Sequence, residues 1–169
     1  MKYTSSEANK LLRQLNQEHN YLITMEVQSR EFNAALGEDI ESVRPAYDYA
    51  KTQEALAEVE RKIRTLKHAI NVFNTTHIVP GFDMTIDEML VYLPQLSSRK
   101  MKLQAMMSRL PKVRDSASGF GNNKLIDSNY ANYDIAEVER NSIDTDKLLQ
   151  QAQTALDLLN NTETFEVEL

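Results

Sequence analysis

Residues Tyr49 to Phe73 read YAKTQEALAEVERKIRTLKHAINVF, and their apolar spacing decides the fold class. Tyr49, Leu56, Ile63 and Ile70 fall seven apart, and Thr52, Val59, Leu66 and Phe73 form a second row offset by three. A repeat alternating steps of three and four keeps one stripe of a helix turned to a partner over many turns, as in a coiled coil. Glu58 stands four before Lys62 and Glu60 four before Arg64, but such surface pairs add only about 0.2–0.5 kcal/mol each. Burying each Leu or Ile contributes roughly 1.5–3 kcal/mol, so the apolar seam dominates.

Working outward, three further helices are predicted. Thr4 and Glu7 have capping-box spacing, and Ala8, Leu11, Leu15, Leu22, Met25, Phe32 and Leu36 continue one face until Gly37 stops it. After the break NTTHIVPGFD (74–83), Thr85 and Glu88 open a helix with Ile86, Met89, Leu93, Leu96, Leu103, Met107 and Leu110 on its inner side. Pro94 predicts a kink near Leu90, and Pro111 ends the pattern. Asp134 with Glu137 opens the last helix, whose inward residues are Ile135, Val138, Leu149, Ala152, Leu156 and Leu159. Asn141, Ser142 and Thr145 weaken its first half. Short extended pieces are expected near 77–82, 124–133 and 164–169, the last because Phe165, Val167 and Leu169 alternate with acidic residues. AINVFNTTHIV (69–79) and ALDLLNNTETFEV (155–167) echo each other, either as two related helical hairpins whose extended ends pair or as one way of leaving a helix reached twice independently. The reading is a mainly α, elongated antiparallel bundle of coiled-coil type, forming a single domain over 1–169.

Composition narrows function mostly by exclusion. The 169 residues contain no Cys, which removes disulfides, thiolate metal sites and thiol nucleophiles. No apolar run near the N-terminus is long enough for a signal peptide or a membrane span, so a soluble, cytoplasmic protein is expected. The net charge of −6 opposes general affinity for nucleic acid, whose nonspecific binding rests on phosphate neutralisation.

The sequence reverses that sign once. RKMKLQAMMSRLPKVR (99–114) holds six Lys or Arg and no acid. Arg99 and Lys102 fall outside the apolar face, Arg109 lies near its edge, and Lys112 and Arg114 follow the Pro111 break; these five are candidate interface or anion-binding residues, while Lys100 lies near the seam. A solvated face or a contact with an acidic partner is the expected role, with weak nucleic-acid binding through 99–114 as an alternative. A second candidate group comprises His77, Asp83, Asp87 and Glu88, beside the chain break that precedes the third helix. An enzyme pocket there is the competing reading. Carboxylates at a helix start already have a simpler role, offsetting unpaired amides and the positive end of the dipole. Tyr130 and Tyr133 are expected to anchor a loop rather than to stack on a ligand. His19, His68 and His77 lack the spacing of a helical metal pair. Gly119, Gly121 and Lys124 in SASGFGNNK (116–124) match no phosphate loop and read as a flexible connector. Neither a metal nor a cofactor is expected.

Several longer phrases, FNAALGEDIESVRPAYDY (32–49), LKHAINVFNTTHIVPGFDMTIDEMLVYLPQL (66–96), SRLPKVR (108–114), NYANYDIAEVE (129–139) and QTALDLLNNTETFEVEL (153–169), resemble the septicolysin-like family of small, largely uncharacterised bacterial proteins. The resemblance runs from about Phe32 to the C-terminus. It implies a helical, self-associating cytoplasmic protein and carries over no catalytic residue. The family label points to a cytolysin, yet the sequence has neither a secretion signal nor a long apolar hairpin. Self-association or contact with another protein is therefore the expected mode of action, and catalysis is not.

Overall fold

The computed structural model describes residues 1–114 and 128–169, so SASGFGNNK and the first part of the extended piece expected at 124–133 lie outside the described residues. The described chain is mainly α. Its long helices are α1 (Ser5–Ser29), α3 (Tyr49–Thr76), α4 (Ile86–Met107) and α5 (Ile135–Thr162), with one short turn of helix, α2 (Ile40–Val43). Four three-residue strands accompany them: β1 (Lys2–Thr4), β2 (Lys112–Arg114), β3 (Ser128–Tyr130) and β4 (Thr164–Glu166). Among the described residues no helix is long and apolar enough to cross a membrane.

The chain divides into two compact units, one of residues 1–77 with 158–169 and one of residues 78–157. In the first, α1 and α3 lie antiparallel. Glu26 Oε1 accepts from Gln53 Nε2 at 2.6 Å and from the Tyr47 hydroxyl at 2.8 Å, while His19 Nε2 lies 3.1 Å from Glu60 Oε1. The heptad seam of α3 is occupied within this unit: Leu66 and Ile70 pack with Ala8 and Leu15 of α1 and with Val167. Tyr49 is the exception, because it is the first residue of its helix and stands exposed.

Two strands complete this core. β1 pairs antiparallel with β4, Tyr3 opposite Phe165, and the Met1 ammonium donates to the Val167 carbonyl at 2.8 Å. Phe165 sets its ring 4.9 Å from Phe73. The extended piece expected at 164–169 is thus a strand over Thr164–Glu166, and its partner is the segment ahead of α1, which sequence reading did not treat as extended. The echoed ends do not pair with each other. Thr164 faces Thr4, whereas the 77–82 piece forms a bridge from Ile78 to Thr85, with the Val79 amide donating to the Met84 carbonyl, and a turn in which the Phe82 amide donates to the Val79 carbonyl.

α1 stops at Ser29, short of the predicted Gly37. The pairing of Glu26 with Gln53 explains why: one further turn of α1 lies opposite the start of α3, beyond which a helix has nothing to bury against. Leu36 is accordingly fully exposed, and Phe32 rests under the Arg44 guanidinium, 5.2 Å from its ring centre. Gly37 still marks a turn, with a φ of 87° that disfavours any side chain.

In the second unit the Thr85–Glu88 capping box is present, and Ile86, Met89, Leu96 and Leu103 are buried as the spacing predicts. α4 continues through Pro94 but ends at Met107 rather than Pro111, leaving Leu110 exposed. A residue before proline is pushed out of helical geometry, and the segment beyond it is recruited into β2. On α5, Val138, Leu149, Ala152 and Leu156 are buried, and so are Ser142 and Thr145.

Candidate functional site

The end of α4 and the β2–β3 pair form a groove of about 750 Å³ in the second unit. Its walls follow from local geometry. The amide of Ser108 donates to the Gln104 carbonyl at the last turn of α4, and Pro111 then turns the chain into β2. β2 and β3 run antiparallel with Lys112 opposite Tyr130, Val113 opposite Asn129 and Arg114 opposite Ser128. The Ala131 amide donates to the Pro111 carbonyl at 3.0 Å, and the Tyr133 hydroxyl donates to the Met106 carbonyl at 2.9 Å. Those two bonds tie the segment after β3 to the end of α4.

This geometry brings together two groups that are distant in sequence. Lys102, Arg109 and Arg114 of the basic run line the groove with Tyr130 and Tyr133. Tyr133 is a loop anchor through its bond to Met106, while Tyr130 keeps its ring at the surface. Lys112 places its ammonium 5.2 Å from the Tyr130 ring centre, within cation–π range. Leu110 and Val113 add apolar surface between the cations. No carboxylate or imidazole lines the groove among the described residues. The arrangement attracts anions and offers apolar contact.

Arg99 lines a different, smaller groove of about 300 Å³ with Leu103, Asn141, Asp144 and Thr145. Lys102 borders both. Lys100 is bound to Asp146, an ion pair consistent with its place near the seam.

Two members of the second candidate group, His77 and Glu88, have local structural duties. His77 follows the last residue of α3, where its Nδ1–H donates to the Phe73 carbonyl at 3.0 Å and its ring lies 4.0 Å from that of Phe73. Glu88 is held by Thr85, whose amide and hydroxyl donate to Glu88 Oε2 at 2.7 and 2.9 Å. The backbone bond from Thr85, then its hydroxyl, keep the Glu88 carboxyl below its ordinary acid range. Asp87 occupies the first turn of α4 and is exposed, as is Asp83 in the preceding turn. Among the described residues no three His, Cys, Asp or Glu side chains are grouped so as to hold a metal ion.

Sequence reading treated the tyrosines and the cations separately because β2 and β3 are too short to show an alternating pattern. The one available signal was the position of Pro111, which cuts PKVR from the helix.

No family model matches this sequence, and no curated protein matches it. The fold is similar to the crystal structure of a functionally unknown conserved protein from Corynebacterium diphtheriae, with a TM-score of 0.60 over 98% of this chain and 100% of that one. At 15% identity the likeness is one of fold.

Proposed function

We propose that the chain acts through protein contacts, with self-association as the leading form, and not as a catalyst. This is also what the resemblance to septicolysin-like proteins implies. The α3 seam that first suggested an oligomer is filled by α1, so support for the reading comes from the outer sides of α1. Four of its apolar residues, Tyr21, Ile23, Met25 and Val27, are 40–62% exposed. At 3.6 residues per turn, Tyr21 and Met25 share one stripe, while Ile23 and Val27 share another on the far side of the helix. Half-buried Leu22, Glu26 and Ser29 lie between them, and Glu26 is bonded to Gln53 of α3. Isolated surface apolar residues are ordinary, but paired ones on both flanks of a helix hairpin make a surface for another helical pair.

Size exclusion with light scattering tests this directly. The parent is expected to exceed its monomer mass of 19.4 kDa in a concentration-dependent way. Replacing Ile23 and Val27 with Glu, or Tyr21 and Met25 with Glu, should return one of the two variants to the monomer with unchanged helicity. A parent that stays monomeric across the micromolar range rejects the reading.

A further inference from the structure

We propose that the groove between the end of α4 and the β2–β3 pair receives an acidic peptide segment carrying apolar side chains, presented by a partner protein. This groove shares no residue with the α1 stripes, and the proposal stands whether or not the chain self-associates. The first support is charge. In a chain of net charge −6, Lys102, Arg109, Lys112 and Arg114 gather around one concave surface. None of the four has a carboxylate within 4 Å among the described residues, and the same holds for Lys10, Arg13, Arg64, Lys67, Arg99, Arg140 and Lys147, so it is their gathering at one groove that sets them apart. Like charges held together repel one another, and a bound carboxylate relieves that repulsion.

Apolar surface is the second support. Leu110 is 66% and Tyr130 61% exposed, and Val113 also faces solvent within the same groove. Branched aliphatic side chains between guanidinium groups suit a ligand that alternates carboxylates with apolar groups. Leu110 and Val113 are poor platforms for nucleic-acid bases, which stack on aromatic rings; of the two rings that line the groove, Tyr133 is tied to Met106 and Tyr130 has the Lys112 ammonium 5.2 Å from its centre.

Two further features select a short acidic peptide over a polyanion. Screening acts over about 8 Å at physiological salt, so a short segment feels the local cations, whereas a long nucleic acid also meets the negative remainder of the chain. In addition, β2 and β3 have only each other as strand partners among the described residues. Their outer edges therefore offer backbone groups to an extended peptide.

The test is fluorescence anisotropy with the full chain and a short labelled peptide that alternates Glu with Leu. Matching probes carry Gln in place of Glu, or Ser in place of Leu, and a labelled oligodeoxythymidine serves as the nucleic-acid arm. The expected result is saturable micromolar binding of the Glu/Leu peptide and weaker binding of both altered peptides. Arg109→Glu with Arg114→Glu should weaken binding at least about tenfold, the effect of losing roughly 1.4 kcal/mol. Leu110→Ser, at an exposed position that does not support the fold, should weaken it as well, and circular dichroism should be unchanged in each variant. Absence of saturable peptide binding by the parent overturns the proposal, as does peptide binding that both variants leave intact. Tighter binding of the oligodeoxythymidine, lost in the same variants, also overturns it and assigns the groove to nucleic acid.

Discussion

Glu88 shows how one side chain can set a helix boundary and report on pH. Thr85 donates its amide and hydroxyl to the carboxylate, and the Glu88 amide donates back to Thr85 Oγ1 at 3.2 Å. Glu7 repeats the pattern with Thr4 at the start of α1, and its carboxyl is likewise held low, first by the Thr4 backbone bond and then by the Thr4 hydroxyl. In both, the folded chain favours the ionised form more than the unfolded chain does. The stabilisation is therefore present above the ordinary Glu range and is lost as pH falls from that range through the lowered folded-state value. Glu58, pulled down to about 2 chiefly by its hydrogen bonds with Arg61, acts in the same direction. Because Gln can also complete a capping box, Glu88→Gln should keep α4 while removing the titration. Its thermal midpoint should fall less steeply than that of the parent on acidification from about pH 5. Parallel curves for the two proteins would show that the box contributes nothing to acid sensitivity. These boxes were legible because their signal is a residue type at a fixed spacing of three. His77 was not: its bond to the Phe73 carbonyl depends on how α3 ends, and a lone histidine after an Asn/Thr run does not encode that.

Among the elements, β4 carries more structure than its three residues suggest. Val167, just beyond it, is buried with Ala8, Leu15, Leu66 and Ile70, and its amide and carbonyl bond to the carbonyl and ammonium of Met1. Val167→Ala should destabilise the fold by roughly 2 kcal/mol in chemical denaturation, intermediate between trimming an Ile to Val and a Leu to Ala. Glu166→Ala, at an exposed position of β4, should change stability by no more than about 0.5 kcal/mol. Equal effects from the two would mean that Val167 is not part of the cooperative core. The alternation of TFEVEL made this strand readable, whereas KYT ahead of α1 has no period to read. The seam of α3 was legible because Leu, Val, Ile and Phe occupy it from Leu56 onward. α5 carries the same four-and-three spacing through Val138, Ser142, Thr145, Leu149, Ala152, Leu156 and Leu159, all buried. Ser142 and Thr145 concealed the continuity, since an apolar pattern search treats small hydroxyl residues as gaps although they fit a close helix contact. The early end of α1 was hidden for another reason. Phe32 and Leu36 keep the helical period, but whether they have a partner depends on where α3 begins.

For the whole molecule, charge works against the apolar surfaces that would bring copies together. The site was legible only in pieces, because a net charge says nothing of where cations gather, and the groove forms only when β2 pairs with β3. The net charge itself makes a further prediction. At pH 7 the chain carries −6, and its isoelectric point is near 5.1. Copies repel one another above that point, more strongly as pH rises, so the proposed association through apolar stripes such as Ile23–Val27 would work against a charge barrier. Moving from pH 8 toward 5.1 at low salt should raise the average mass seen by light scattering. Added salt at pH 8 should have the same effect by shortening the screening length to about 3 Å at 1 M. Unfolding need not intervene, since the Glu7 and Glu88 carboxyls that hold the helix starts titrate below the ordinary Glu range. Constant circular dichroism across the same pH interval would establish that. The Ile23→Glu, Val27→Glu double variant separates the contributions, because it adds negative charge while removing apolar area. If that stripe makes the contact, the variant should stay monomeric at pH 8 even in high salt, where charge is screened and only the apolar loss remains. A parent whose mass is indifferent to both pH and salt would remove the α1 stripes as the contact surface, whereas an Ile23/Val27 variant that associates as the parent does in high salt would leave only the Tyr21–Met25 stripe in that role.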